Sequence, residues 1–98
     1  MREPIARRTF TIGPNGPDEV VALLYAPVEE PQDWSCTYEI RKDGDVLRSR
    51  RIFGVDSLQA LTLALKMVGV EIISSDYGKK RELYYLGSNE DLDLLPLD

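Results

Sequence analysis

Few side chains in this chain could do chemistry. Cys36 is the single cysteine, and the sequence contains no histidine. It therefore lacks the most frequent general acid–base group, the most frequent metal ligand and every triad that depends on imidazole. A reaction would have to run on carboxylates, tyrosines and arginines alone. We therefore predict that the protein is not an enzyme and that it holds neither a cofactor nor a metal ion.

Cys36 itself has two interpretations. A thiol beside a cationic group can be a reactive nucleophile, and Arg51 is a candidate neighbour. In "WSCTYEIRK", however, Cys36 alternates with Trp34, Tyr38 and Ile40, as on one apolar face of a strand. We favour the second interpretation, a small core residue.

Five arginines fall on two predicted strands and form a second candidate site. A basic stripe would suit nucleic acid or an acidic ligand, whereas ion pairs across a solvated sheet face would need no ligand. The net charge of −5 argues against general nucleic-acid binding, so we favour the ion pairs. A deep polar pocket that includes Glu39 would instead indicate a small-ligand binder. The five arginines are Arg7, Arg8, Arg48, Arg50 and Arg51.

Acidic side chains concentrate in a loop after the second predicted strand and in the C-terminal segment. Residues 56–98 carry 4 basic and 8 acidic side chains, and leucines are interspersed with the acids at the end. Such a surface could steer and dock a basic protein, although a solvated segment whose leucines pack on the core would show the same pattern. One of two adjacent tyrosines must also be partly exposed on a strand. The candidate contact residues are Glu29, Glu30, Asp33, Tyr85, Glu90, Asp91 and Asp93.

The elements that would position these groups are mainly strands. Runs rich in β-forming or apolar residues predict strands over 5–12 and 19–28, each followed by turn-forming residues. The Asp43–Gly44 dipeptide predicts a two-residue hairpin of type I′ that joins the strand 34–42 to the strand 45–53. A last short strand is predicted over 82–87.

The hairpin turn predicts a register between its two strands. Pairing Lys42 with Asp45 sets Ile40 opposite Leu47. It also places Arg48 and Arg50 on the polar face of the sheet, together with Glu39. One pair fits badly, because Arg51 would lie opposite Cys36 on the apolar face. A β-bulge near residues 49–51, or a position of Arg51 at the edge of the sheet, would resolve this, and we predict an irregularity there.

The stretch "GVDSLQALTLALKMVGVEI", residues 54–72, predicts an amphipathic helix. Asp56 is a good N-cap and Gln59 follows it three residues later, as in a capping box. The helix is predicted from Asp56 to about Ser74, and four polar residues within it exclude a membrane span. The apolar stripe recurs at spacings of three and four residues, as on the core face of a helix: Leu58, Leu61, Leu65, Val68 and Ile72, with Ala64 beside them.

A second set of apolar residues widens the helix beyond that stripe, and it has two interpretations. Either the C-terminal leucines cover this flank, or a second copy of the chain does. The candidate interface residues are Ala60, Leu63, Met67 and Val70.

These elements predict an α+β fold with the order β-β-β-β-α-β. An antiparallel sheet of four to five strands with one long helix packed on one face would bury both hydrophobic patterns. The chain of 98 residues is predicted to be a single domain with an acidic C-terminal tail at about 88–98. One cysteine and an N-terminus without a secretory pattern predict a cytoplasmic protein.

The region from Trp34 to Pro96 resembles a family of small bacterial proteins of unknown function. Its members share a W/Y-x-C-x-Y-x-I strand, a G-x-D-S-x-Q-A-L-x-L-A-L helix and a short final strand followed by Phe-Pro or Leu-Pro. Here "WSCTYEI", "GVDSLQALTLAL" and "LYYLG" with "LP" carry the resemblance, without an aromatic residue before Pro96 or a second tryptophan near Tyr85. The resemblance implies no activity, cofactor or catalytic residue.

The functional prediction is a non-catalytic protein-interaction module. Its size and acidity are similar to those of many bacterial toxin-immunity proteins, which is a likeness of class only, and it would bind a basic protein rather than nucleic acid or a membrane. The first alternative is a structural homo-oligomer joined through the helix flank or an edge strand. A small-ligand binder is the second alternative.

Overall fold

The structure, a computed structural model, describes residues 2–95 and confirms the predicted α+β fold. An antiparallel sheet carries one main helix on one face, and the sheet has six strands where four to five were predicted. The elements are β1 (Ala6–Ile12), β2 (Glu19–Leu24), β3 (Val28–Glu29), β4 (Trp34–Lys42), β5 (Asp45–Gly54), α1 (Ser57–Ser74), α2 (Asp76–Lys79) and β6 (Leu83–Tyr84).

The strands run across the sheet in the order β5–β4–β2–β1–β6, and all pairs are antiparallel. The extra strand β3 pairs with the first two residues of β4, beside the end of β2. The single strand predicted over 19–28 is divided because Pro27 has no backbone N–H to give to a ladder. The sheet thus has one edge at β5, and the other edge is β1, of which β6 pairs only with Thr11 and Ile12.

The β4–β5 hairpin has the predicted turn but a different register. Asp43 and Gly44 both have positive φ (50° and 91°), as a type I′ turn requires, and Lys42 pairs with Asp45. The register shifts between Ile40 and Arg41, so the predicted irregularity lies close to the turn and not at 49–51.

This shift changes every pair beyond the bulge. Ile40 lies opposite Arg48, where Leu47 was predicted, and Cys36 lies opposite Ile52. The predicted clash of Arg51 with Cys36 is thereby removed, since Arg51 faces Thr37 on the other side of the sheet. An extra residue in β5 restores an apolar pair in the core.

Helix α1 begins as predicted. Asp56 is the N-cap, and its side chain accepts a hydrogen bond from the Gln59 amide at 2.7 Å. The Gln59 side chain in turn accepts one from the Val55 amide at 2.7 Å. The helix ends at Ser74, and Ser75 separates it from the short helix α2.

The face of α1 that meets the sheet is rotated from the predicted stripe. Leu58 was expected in the core, but it is 70% exposed. Ala64, Val68 and Ile72 are buried as predicted, and Ala60 and Gly69 are buried with them. Leu61 and Leu65 are only partly buried against the core. Small residues allow a close approach: a Cβ atom on Gly54 would lie 2.5 Å from the Ala60 backbone nitrogen.

One hydrophobic core lies between the sheet and α1, and the C-terminal segment closes it. Leu92 and Leu94 pack against the core, and Leu94 and Leu95 lie next to Gly69 of α1. By length and composition alone α1 could cross a membrane: its mean hydropathy is 1.4, and 28% of it is buried within the fold. The core residues are Phe10, Val20, Ala22, Leu24, Cys36, Tyr38, Ile40, Ala60, Ala64, Val68, Ile72 and Leu83.

Candidate functional site

The strand β5 forms the most accessible part of the sheet. Within residues 2–95 it pairs with β4 on one side only, so the backbone groups on its other side have no ladder partner in the described chain. Its residues from Asp45 to Arg51, and Phe53, are all exposed. We call this strand, Asp45–Gly54, the β5 edge.

Two arginines of the β5 edge lie on the face that α1 covers. Arg48 lies opposite Ile40 and Arg50 opposite Tyr38, and directly opposed residues point to the same side of a sheet. The prediction that both share the polar face with Glu39 was wrong, because the bulge at the turn reverses the direction of each side chain. A pocket ringed by Glu39, Arg48 and Arg50 is therefore not formed.

Glu71 of α1 holds these two arginines. Arg48 Nε lies 3.1 Å from Glu71 Oε2, and Arg50 Nε lies 3.3 Å from Glu71 Oε1. The Tyr38 hydroxyl also donates to Glu71 Oε1, at 3.1 Å. Burial, followed by the charge and hydrogen bond of Glu71, raises the pKa of Tyr38 to about 12. This cluster fixes the helix to the two strands beneath it through charge-assisted hydrogen bonds.

Glu71 was not among the site residues predicted from the sequence. The rotation of α1 brings it to the border of the core, one residue before the buried Ile72. The signal was its spacing: Glu71 follows Val68 by three residues, so the two lie on neighbouring parts of one helix face.

Arg51 is the third arginine of the β5 edge, and it lies on the opposite face. Its Nη1 atom is 3.9 Å from Glu30 Oε1, and its guanidinium lies 5.1 Å from the centre of the Phe53 ring. Glu30 also accepts a hydrogen bond from Ser35 Oγ at 2.9 Å. The side chains of Arg48, Arg50 and Arg51 remain 52%, 48% and 61% exposed, respectively. Guanidinium groups thus line both sides of this edge.

Apolar side chains flank the arginines. Val46 and Leu47 precede them and Phe53 follows them, and each is about half exposed. Val55, which directly follows the strand, and Leu58, in the first turn of α1, are also exposed. The β5 edge is therefore basic at its centre, with apolar residues on both sides of the arginines and Asp45 at the turn.

The predicted acidic contact residues do not form one surface. Glu29, Glu30 and Asp33 lie at the end of the sheet where Glu29 pairs with Trp34. Glu90 and Asp91 follow Ser88, which bridges to Tyr85 just after β6, and β6 pairs with the last residues of β1 at the other end. Two members are also used internally, since Glu30 contacts Arg51 and Asp93 contacts Arg8.

Tyr85 is half-buried and serves packing. Its ring centre lies 6.1 Å from that of Phe10, and the Arg8 guanidinium stacks over it at 4.3 Å. Tyr85 therefore supports the C-terminal segment, and its role as a partner contact stays a prediction.

The five arginines predicted as one cluster are divided between two edges. Arg7 is exposed on β1, and two strands separate it from the β5 edge. Arg8 points to the helix side, where it donates to the backbone carbonyls of Leu92 (3.2 Å) and Asp93 and lies 3.8 Å from the Asp93 carboxylate. Arg8 is thus a clamp for the C-terminal segment.

The predicted oligomer contacts also separate. Ala60 is fully buried against the sheet, so it cannot meet a second chain, and Met67 packs against the core. Leu63 is 37% exposed and Val70 is half-buried. Leu94 and Leu95 lie next to Gly69, which is six residues from Leu63 and therefore points to a different side of α1.

The side chains of Cys36 and Glu39 are both engaged in contacts within the fold. The Cys36 thiol is fully buried and donates to the Tyr25 carbonyl at 3.3 Å, and burial raises its pKa. On the open face, burial tends to raise the pKa of Glu39, but hydrogen bonds from Arg41 and Tyr25 outweigh it and lower that pKa. The core interpretation of Cys36 is confirmed.

A cleft of about 400 Å³ lies between β1, β2, α1 and the C-terminal segment. Its lining is mostly apolar, with Arg7, Arg8 and Asp93 as its charged members. The Arg8 guanidinium is already engaged by Leu92 and Asp93, so the cleft offers few groups that could orient a small ligand.

Comparison with known protein families places the whole fold in one of them. Residues 6–95 match the family described as "Domain of unknown function (DUF6968)". The comparisons with curated proteins and with solved structures gave no match. The matched region includes the sheet, both helices and the C-terminal segment that Arg8 holds, and it agrees with the resemblance to a family of unknown function. This chain belongs to the DUF6968 family.

Proposed function

We propose that this protein is a non-catalytic protein-interaction module that binds an extended segment of a partner along the β5 edge. The observation that carries the proposal is the open edge itself: a strand of 10 residues, paired on one side only in the described chain. Addition of a strand to such an edge gives affinity through main-chain hydrogen bonds and selectivity through alternate side chains.

Exposed apolar side chains support the same surface. Of the 11 large hydrophobic residues exposed in the described chain, five lie in or directly after β5. Exposed apolar groups that gather in one place mark interaction sites, whereas scattered ones are ordinary. The five are Val46, Leu47, Phe53, Val55 and Leu58.

The β5 edge is also held in place before a partner arrives. The Asp43–Gly44 turn and the full β4 ladder fix its backbone, and Glu71 ties two of its side chains to α1. A strand that is already ordered loses little conformational entropy on binding, which favours affinity.

Site-specific photo-crosslinking tests this proposal. A photoreactive phenylalanine analogue replaces Ser49, which is exposed on β5, and in a control protein it replaces Thr9, which is exposed on β1. In an extract of the source cells we expect a crosslinked product from the Ser49 position that the Thr9 position does not give. The purified partner should then bind the purified protein and slow amide exchange in β5. Equal crosslinking from both positions, or none from Ser49, would contradict the proposal.

A homo-oligomer that uses the flank of α1 is a second candidate, favoured by the exposure of Leu63. Light scattering over a range of concentrations tests it. A dimer that Leu63→Glu converts to a monomer would support this candidate, while a monomer at the highest concentration would remove it.

A basic partner at the acidic residues is a third candidate. Glu29, Asp33, Glu90 and Asp91 are its remaining contact residues, since Glu30 and Asp93 already contact arginines of this chain. Loss of partner binding on reversing the charge at Glu90 and Asp91 would support it.

A further inference from the structure

We propose that the segment that docks on the β5 edge is acidic at its centre and apolar at its ends, and that it belongs to a different protein. This inference rests on the proposed function, because it names the chemistry of the segment that the edge accepts. It follows from the order of side chains along the strand and from their remaining capacity to bind.

The side chains of the β5 edge present a pattern that a partner strand must match. Arg48 and Arg50 emerge on the helix side and Arg51 on the opposite side, with half-exposed apolar residues at both ends of the strand. Directly opposed residues of neighbouring strands lie about 4.5–5.5 Å apart at Cβ. Carboxylates at the centre of a docked segment would therefore reach guanidinium groups on either face.

The arginines have further N–H groups that could donate hydrogen bonds to such a partner. The ion pairs of Arg48 and Arg50 with Glu71 use their Nε atoms, while a guanidinium carries about five N–H donors. At the centre of the edge, residues 48–51, three guanidiniums meet two carboxylates, Glu71 and Glu30, which leaves one net positive charge there (3 − 2 = 1). Asp45, at the turn end of the strand, balances the charge of the whole β5 edge. A partner carboxylate would complete the balance of charge at the centre.

A second copy of β5 is a poor occupant for the same reason. Antiparallel pairing of two copies about Arg50 would set that residue opposite its equivalent. Pairing about the Ser49–Arg50 bond would set Arg48 opposite Arg51. Either register brings like charges together, which destabilises a cross-strand pair. The arginines therefore disfavour self-pairing through the centre of β5 and favour an acidic strand there. A self-pairing that sets Asp45 opposite Arg50 avoids this repulsion, and the dimer measurement below tests it.

The negative charge of the whole chain does not cancel this preference. The net charge is −5, but at physiological ionic strength exposed charges more than about 8 Å apart are largely screened. A docked segment would respond mainly to the arginines it touches. Its affinity should accordingly fall as salt is added.

Peptide binding tests the inference directly. The probe is a fluorescent peptide as long as β5 (10 residues), with valines at both ends and consecutive glutamates in its centre, so that carboxylates emerge on both faces of the docked strand. Lysine replaces glutamate in the control peptide. Arg51→Glu is the test variant. Arg7→Glu is its matched control, since it makes the same charge change at an exposed residue two strands away.

We expect the acidic peptide to bind and to slow amide exchange in β5, and the lysine peptide to bind at least about 10-fold more weakly. Arg51→Glu should weaken the acidic peptide by a similar factor, and Arg7→Glu should leave its affinity unchanged. Urea unfolding of both variants confirms that each is folded.

The outcomes separate this inference from the proposed function. If both peptides protect β5 equally, the edge accepts strands without regard to charge, and the inference fails while the proposed function survives. If neither peptide protects β5, both fail. If the free protein forms a dimer through β5, the inference is overturned, because the occupant is then a second copy.

Discussion

The two edges of the sheet differ in how far other parts of the chain cover them. At one edge, β6 pairs with Thr11 and Ile12 of β1. Beside the rest of β1, Arg8 holds the C-terminal segment, whose Leu92 and Leu94 pack on the core. At the other edge, β5 is longer than any other strand, and no element of residues 2–95 pairs with its outer side. The chain thus packs a further segment beside one edge and leaves β5, the edge proposed for contact, uncovered.

Arginines lie at both edges of the sheet, but their contacts differ. Arg8 turns inward, where it donates to backbone carbonyls of the C-terminal segment and stacks on Tyr85. Arg48, Arg50 and Arg51 each meet one carboxylate and still expose about half of their side chains. The same residue type is thus a structural clamp at one edge, and at the other edge it is half-exposed on the surface proposed for contact.

The largest expected effect on stability comes from replacing a leucine by alanine, and we compare this substitution at the two edges. Leu83→Ala removes a side chain that is 1% exposed on β6, and it should lower the free energy of unfolding by about 2–5 kcal/mol. Leu47→Ala, on the half-exposed β5 edge, should change it by no more than about 0.5 kcal/mol. Urea unfolding followed by the fluorescence of Trp34 measures both. Equal losses would show that the β5 edge is as covered as the β6 edge.

Release of the C-terminal clamp should have the next largest effect. Arg8→Ala removes two hydrogen bonds from a charged donor to backbone carbonyls, so we expect a loss of about 1.5–3 kcal/mol. Faster amide exchange should be confined mainly to residues 88–95. Arg7→Ala is the control, with an expected change within about 0.5 kcal/mol. Unchanged exchange in residues 88–95 would remove the clamp role of Arg8.

The cluster that anchors the β5 edge should be visible as a dependence of stability on alkaline pH. Tyr38 has its pKa raised to about 12 in the folded state, from about 10 when unfolded. Its contribution is therefore complete below pH 10 and is lost as the pH rises toward 12. Tyr38→Phe should cost about 1 kcal/mol at neutral pH and should flatten the fall of stability in this window. An unaltered alkaline profile would contradict the assigned role of the hydroxyl.

A smaller effect is expected at the centre of the open face, between the two edges. The pKa of Glu39 is lowered by its hydrogen bonds from Arg41 and Tyr25, which outweigh its burial. A lowered pKa contributes stability above the unfolded value of about 4.3, and this is lost as the pH falls through the folded value. Glu39→Gln should therefore cost less than about 1 kcal/mol at pH 7 and reduce the acid sensitivity of unfolding. A steeper acid dependence in the variant would contradict this assignment.

Much of the fold could be predicted from local patterns. The alternation around Cys36, the Asp43–Gly44 turn and the Asp56 cap each depend on a few neighbouring residues, and all three are present. The predicted register of the hairpin was wrong because a bulge of one residue leaves little trace in the sequence. The orientation of α1 depends on the close contact of Gly54 with Ala60, a tertiary contact that local sequence patterns do not reveal.

The candidate site was harder to predict, because it depends on the two features that were predicted wrongly, the position of the β-bulge and the orientation of α1. Only the bulge turns Arg48 and Arg50 toward α1, and only the rotation of α1 brings Glu71 to meet them. Charge counting pointed instead to acidic residues that the fold keeps at opposite ends of the sheet. Net charge describes the chain as a whole, whereas binding depends on which charges share one surface.

Amide hydrogen exchange along β5 in the free protein tests the central claim most directly. Alternate amides of an antiparallel edge strand point to the neighbouring strand and to solvent. If the β5 edge is open, every second amide from Asp45 to Gly54 should exchange rapidly at all protein concentrations, while the amides of β4, which is paired on both sides, stay protected. Protection of consecutive β5 amides, above all protection that grows with protein concentration, would show that the edge is already occupied and would contradict the claim.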